Sequence, residues 1–170
     1  MSPLTSEATL RLQKRTNVEQ HSTTIPIEAQ KKIELSEKGD VKVTHTIVNV
    51  SDRELHCKFA IEWCANFLAP KAHDRYFEAD GARLSKPDLV SSGVVTDALQ
   101  LRIVDEYLQL SLSWQADGAE FWRMPIETIS MSEGGFERVY QGSIILLVWE
   151  LKLDAGAAWQ KEVTVKFESP

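Results

Sequence analysis

The chain has 170 residues, 43% of them apolar and 26% charged, with a formal net charge of −6 and a pI near 5.3. That length suits one domain with a proper core. The acidic balance excludes nucleic acid and anionic membrane surfaces as partners, because both reward dense Lys and Arg. Met1 to Arg15 shows no apolar stretch behind a basic start, so no secretory signal is read. The longest apolar run, Ser143 to Trp149, is too short to cross a bilayer as a helix.

Period-two alternation recurs along the chain, and sustained helical periodicity is hard to find. Ala8, Leu10 and Leu12 alternate with Thr9, Arg11 and Gln13. Ile33 and Leu35 lead into Gly39-Asp40, after which Val41, Val43, His45 and Ile47 share one face, a pattern that predicts a hairpin. Leu55, Cys57, Phe59, Ile61, Trp63, Ala65 and Phe67 predict a long strand with one apolar face. Cys57 and Cys64 fall on opposite faces of it, about 23 Å apart at ~3.3 Å per residue, which rules out a bond between them. Free, buried thiols are expected, and these fit a reducing cytoplasm.

Pro70 to Ser92 holds turn signals at Asp80-Gly81, Lys86-Pro87 and Ser91-Ser92-Gly93, and predicts a loop-rich excursion over residues 70–97 with short strands. Alternation resumes at Leu99, Leu101 and Ile103, and again at Leu108, Leu110, Leu112 and Trp114. Asp117-Gly118 predicts a hairpin turn into Glu120–Met124. Ile145 to Leu153 and Val163 to Phe167 predict two closing strands. The expectation is a single all-β domain over 1–170, a two-sheet antiparallel β-sandwich with strand groups at 8–69 and 98–168.

None of the four histidines stands in a metal-ligand spacing, so no metal site is predicted. His45 has core parity and reads as a packed histidine, whereas His56 faces solvent. Trp63, Trp114 and Trp149 also have core parity. Trp122 breaks the alternation beside Phe121, and Trp159 follows the small residues Ala155-Gly156-Ala157-Ala158; core or edge packing is the first reading for both, and an exposed indole on which a sugar ring stacks is the second. Trp122 to Gly142, WRMPIETISMSEGGFERVYQG, is read as a shaped polar loop and not a strand along most of its length. It gathers Arg123, Glu127, Glu133, Glu137, Arg138, Tyr140 and Gln141. Loops of this kind on a β scaffold commonly carry function, while a buried polar network fixing a crossover is the structural alternative.

Pro125-Ile126-Glu127-Thr128, Ser132-Glu133, Gly135-Phe136-Glu137 and Tyr140-Gln141-Gly142 resemble the late part of the carboxy-terminal domain of glycoside hydrolase family 57 enzymes. These are the 4-α-glucanotransferases and related α-amylase-like proteins. Lys31 to Leu35, Val43 to Asn49 and Phe59 to Trp63 fit the same family more loosely. The resemblance implies a galactose-mutarotase-like (supersandwich) β-sandwich, a cytoplasmic setting, no organic cofactor and a maltodextrin-processing parent enzyme. That family's catalytic carboxylates lie on a barrel that has no counterpart here, so no catalytic residue is assigned. The chain matches only the later portion of the family's sandwich, which implies uncovered apolar faces and open sheet edges. A catalytic-barrel subunit or self-association is therefore expected.

Three roles follow. The first is a non-catalytic accessory domain that shapes the cleft or oligomer of an α-glucan enzyme. The second is a stand-alone module binding α-glucan or maltooligosaccharide through Trp122, Glu127, Glu133, Glu137, Tyr140 and Gln141. The third is a small sugar-active enzyme using acids such as Glu127, Glu133 or Glu137. The fold admits all three.

Overall fold

The structure, a computed structural model, describes residues 8–132 and 135–169. Among these residues there are twelve strands and no helix. In chain order they are β1 (Ala8–Gln20), β2 (Thr23–Leu35), β3 (Val41–Asn49), β4 (Leu55–Ala65), β5 (Arg75–Ala79) and β6 (Ala82–Arg83). The remainder are β7 (Gly93–Val95), β8 (Gln100–Asp105), β9 (Leu110–Gln115), β10 (Glu120–Ser132), β11 (Gly135–Leu153) and β12 (Ala158–Glu168). They form two antiparallel sheets, an eight-stranded one in the order β1-β2-β3-β12-β9-β8-β5-β6 and a four-stranded one in the order β4-β11-β10-β7. No helix is long and apolar enough to cross a membrane among the described residues.

The residues group into two compact units. The first contains the described residues up to Phe59, together with Trp114–Asp117 and Trp149–Phe167. Its core sits under the inward face of β2, β3 and β12, where Ile25, Val43, Ile47 and Val163 are buried with Leu55, Trp114, Trp149 and Leu151. The expected turn at Gly39-Asp40 forms, with Gly39 at φ +87°, and pairs Leu35 with Val41. Asn49 ties the far end. Its amide donates to the carbonyls of Arg53 (2.7 Å), Leu153 (3.0 Å) and Asp154 (3.1 Å), and its Oδ1 accepts from Ser51 Oγ (2.7 Å).

The second unit holds Ala60–Ser113, Gly118–Val148 and the described residues after Phe167. Phe77, Leu89, Leu101, Ile103, Phe121, Ile145 and Leu147 make its core. Cross-strand ion pairs staple β5 to β8. Arg75 Nε donates to Asp105 Oδ2 at 2.8 Å and Arg102 Nε to Glu78 Oε1 at 2.6 Å, at paired positions of the register.

Several expectations are corrected. The Asp117-Gly118 turn does not close a hairpin, because β9 and β10 lie in different sheets. A tight turn signal fixes a local reversal and leaves open which sheet the next strand joins. Asp117 is held there by Lys161 Nζ (2.7 Å) and through its carbonyl by Trp149 Nε1 (3.0 Å). Leu99 and Leu108 lie outside the strands and are exposed. Cys57 and Cys64 are both free, as expected of opposite faces on one strand, but Cys57 is half-buried and Cys64 exposed. Finally, Trp122 to Gly142 is strand, not loop, apart from the undescribed residues 133–134. Pro125 hid this, since proline cannot donate to a ladder. It is tolerated because β7 pairs only with Phe121, Trp122 and Arg123, leaving that edge of β10 free of β7 at Pro125.

Candidate functional site

The outer parts of β10 and β11 form a hairpin with Glu127 opposite Tyr140, Ile129 opposite Arg138, Ser130 opposite Glu137 and Met131 opposite Phe136. Directly opposed residues share a face and neighbours along a strand alternate. Glu127, Ile129, Met131, Phe136, Arg138 and Tyr140 therefore share one face. Thr128, Ser130, Glu137 and Val139 share the other.

This register sorts the residues singled out by sequence. Glu127 and Tyr140 stand side by side. Glu127 accepts a hydrogen bond from Arg138 Nη1 at 3.3 Å. Tyr140 is half-buried, its hydroxyl 2.8 Å from Ser143 Oγ, and burial pushes the phenol upward. Ser143 Oγ in turn donates to the Leu89 carbonyl at 3.2 Å, so this end of the hairpin is anchored to the preceding excursion. Gln141 occupies the β-bulge between the Ile126–Gly142 and Glu127–Tyr140 pairs, and its amide reaches Thr128 Oγ1 at 3.2 Å. Glu137 is exposed on the opposite face. Trp122 is half-buried, projects to the face opposite Tyr140, and donates from Nε1 to Glu120 Oε2 at 2.9 Å. Glu133 lies outside the described residues.

Two consequences are chemical. Trp122 and Tyr140 do not form one stacking platform, because they leave the sheet on opposite sides. Glu127 and Glu137 likewise do not face each other across a common space, which an acid–base pair acting on one sugar would require. Arg123, grouped with the polar residues by sequence, is a buried clamp. It lies 5.0 Å over the Phe77 ring and donates to the Lys86 carbonyl (2.9 Å), the Ser91 carbonyl (3.1 Å) and Ser91 Oγ. Burial pulls its guanidinium pKa below the usual value. Trp159, the other candidate indole, packs edge-on against Phe59 (5.3 Å) and Trp149 (5.5 Å) in the first unit. No group of three or more His, Cys, Asp or Glu is placed to hold a metal among the described residues.

Sequence reasoning missed a different surface. On the outer face of the first unit, Gln13, Gln30, Thr46 and Gln160 align across β1, β2, β3 and β12. Arg11, Lys32 and Thr44 form the next row. These side chains border a groove of about 290 Å³. Each was visible as the polar half of an alternating strand, but only the register lines them up. Such amides and hydroxyls both donate and accept, as sugar hydroxyls do.

The family described as "Alpha-amylase/4-alpha-glucanotransferase, C-terminal" matches residues 3–163. Alpha-amylase 1 of Dictyoglomus thermophilum is 35% identical over 132 residues, which is 77% of this chain and 18% of that protein. The crystal structure of 4-alpha-glucanotransferase from Thermococcus litoralis superposes with a TM-score of 0.64 at 20% identity, covering 97% of this chain and 22% of the other. A putative aldose 1-epimerase from Escherichia coli K12 gives a TM-score of 0.63 at 11% identity, covering 95% of this chain and 66% of that one. The structural likenesses establish the galactose-mutarotase-like, two-sheet fold. The chain spans less than a quarter of the amylase and of the glucanotransferase.

Proposed function

The chain belongs to the C-terminal family of alpha-amylases and 4-alpha-glucanotransferases, and from that premise we propose that it is a non-catalytic accessory domain of an α-glucan-processing enzyme of the glycoside hydrolase family 57 type. Its role is to shape the substrate cleft or brace the assembly of a catalytic partner. The observation that carries this reading is the disposition of the acids. Glu127 is paired with Arg138, Glu137 points the other way, and the buried Glu78 and Asp105 are bound by Arg102 and Arg75. A cytoplasmic setting is proposed with it, on the strength of two unpaired thiols.

A second reading, direct glucan binding, is favoured by the groove of Gln13, Gln30, Thr46 and Gln160. Titration calorimetry with maltooligosaccharides, with and without a separately expressed catalytic portion of a family relative, tests both. The accessory role predicts heat or activity only on mixing. Heat from the isolated chain that Gln30→Ala plus Gln160→Ala abolishes would replace it with the binding module. Glucan turnover by the chain alone would overturn both.

A further inference from the structure

The outer face of the first unit carries its charge unevenly. Two rows of side chains cross β1, β2 and β3 there, Gln13, Gln30 and Thr46 in one and Arg11, Lys32 and Thr44 in the other. Rows two residues apart along a strand are separated by roughly 7 Å, and three neighbouring strands span about 10 Å. The trough between the rows is the groove of about 290 Å³, bordered at its β12 end by Gln160. Its floor is the backbone at Leu12 and Lys31, whose side chains alternate to the inner face. No acid lines it among the described residues, although the chain carries a net charge of −6. Three acids stand in or beside the rows, and each is already answered. Glu28 is bound by Arg15 at 3.1 Å, Glu34 by Lys32 at 2.5 Å and Glu162 by Lys42 at 3.2 Å. Arg11 is left over, exposed and with no hydrogen-bond or ion-pair partner among the described residues. The facing wall is neutral and fixed. Gln30 Nε2 donates to Glu28 Oε1 at 2.9 Å, and Gln13 bonds the same carboxylate, which leaves both Oε1 atoms as acceptors.

We propose that this groove is a subsite for a saccharide bearing one anionic substituent, a phosphate or a carboxylate. The proposal rests on the reading in which the groove takes glucan, and narrows it. The two walls ask for different chemistry. Arg11 presents a planar fork that matches two oxygens of an anion at once, and the Lys32 ammonium adds to the positive field beside it. Gln13 and Gln30 accept from sugar hydroxyls, and the hydroxyls of Thr44 and Thr46 both donate and accept. A neutral sugar satisfies the amide wall and gains nothing from Arg11. A bare anion does the reverse. The volume lies at the lower end for small-molecule sites, which limits the ligand to about one or two rings.

Titration calorimetry of the full chain with maltose, maltose 1-phosphate, maltobionate and inorganic phosphate tests this. At least one of the two anionic disaccharides should bind ten times or more tighter than maltose and than inorganic phosphate, and the tighter of the two names the substituent. Arg11→Gln should reduce that ligand to the affinity of maltose with the far-ultraviolet circular dichroism and Tm unchanged, and Arg11→Lys should keep part of the gain. Gln13→Ala with Gln30→Ala should reduce it to the affinity of inorganic phosphate. Maltose bound as tightly as its phosphate, and lost with Gln30→Ala plus Gln160→Ala, would overturn the anionic assignment and leave the glucan reading standing. Inorganic phosphate bound as tightly as the sugar phosphate would overturn it in favour of a bare anion site. Binding that survives Arg11→Gln would overturn it by placing the ligand elsewhere. Binding of none of the four would overturn both readings of the groove.

Discussion

His45 should make the stability of this fold depend on pH between neutrality and pH 4. It lies on the inward face of β3, with Lys31 of β2 and Lys161 of β12 at the paired positions on either side. It is 6% exposed, its ring is 5.6 Å from that of Phe59, and Nε2 has no hydrogen-bond partner among the described residues. Burial first, and the charge of Lys31 second, lower its pKa from 6.5 to about 4. The unfolded chain takes up a proton near the ordinary value, and the folded one only near the lowered value. Stability present above pH 6.5 is therefore lost as pH falls toward 4, and the loss levels off below that. At 1.36 kcal/mol per pKa unit the effect is on the order of 2 kcal/mol at pH 5 and about 3 kcal/mol at pH 4. Urea denaturation of the wild type and of His45→Phe at pH 7.5 and pH 5 isolates it, because every other titration is common to both chains. The wild type should lose about 2 kcal/mol more than the variant across that interval. Parallel losses would refute the reasoning and imply that water or an internal acceptor reaches the imidazole.

Other substitutions test the scaffold. Asn49→Ala removes the amide that serves three backbone carbonyls and the acceptor of Ser51, and should cost about 3 kcal/mol, read as a lower urea midpoint at unchanged m. His21 and Ser22 form the two-residue link of the β1–β2 hairpin with φ of +47° and +63°, a conformation suited to Asn-Gly. The double change His21→Asn, Ser22→Gly should raise stability by about 1 kcal/mol, seen as a Tm several degrees higher. Gly142→Ala places a Cβ 3.0 Å from the Ala65 carbonyl oxygen, so β4 must shift. A loss of about 1 kcal/mol is expected by thermal melting, in spite of the entropy that alanine removes from the unfolded chain.

What the sequence revealed and what it hid follow from the same periodicity. Alternation of Val41, Val43, His45 and Ile47 identified a strand and its buried face without reference to any partner, because the pleat period is a local property. The β1–β2 turn went unread because His21 and Ser22 adopt positive φ without glycine, so no composition signal marks it. The Asp117-Gly118 turn was read, yet the sheet that β10 joins was not, since that choice is made by distant strands. The hairpin at residues 122–142 was mistaken for loop because Pro125 and the serines weaken strand propensity on an edge where little pairing is needed. Register was the larger omission. It places Trp122 and Glu137 on the side away from Tyr140 and Glu127, and it aligns Gln13, Gln30, Thr46 and Gln160, which lie far apart in the chain.

The acids show why geometry bears harder on function here than residue inventory does. Hydrolysis of a glycosidic bond needs two carboxyl groups roughly 5 to 9 Å apart that converge on one sugar. A short stretch rich in glutamate invites that reading when seen as a loop, because a loop can fold its side chains toward one point. Once the stretch is a β-hairpin, alternation separates them: Glu127 projects with Arg138 and Ser130 pairs with Glu137 on the reverse side. The two acids that are buried among the described residues, Glu78 and Asp105, gain their tolerance of burial from Arg102 and Arg75, and an acid held that way is a cross-strand staple. The same alternation that disperses the carboxylates gathers Ile129, Met131 and Phe136 on one side. A hairpin that scatters its acids in this way brings no converging carboxyl pair out of Glu127 and Glu137.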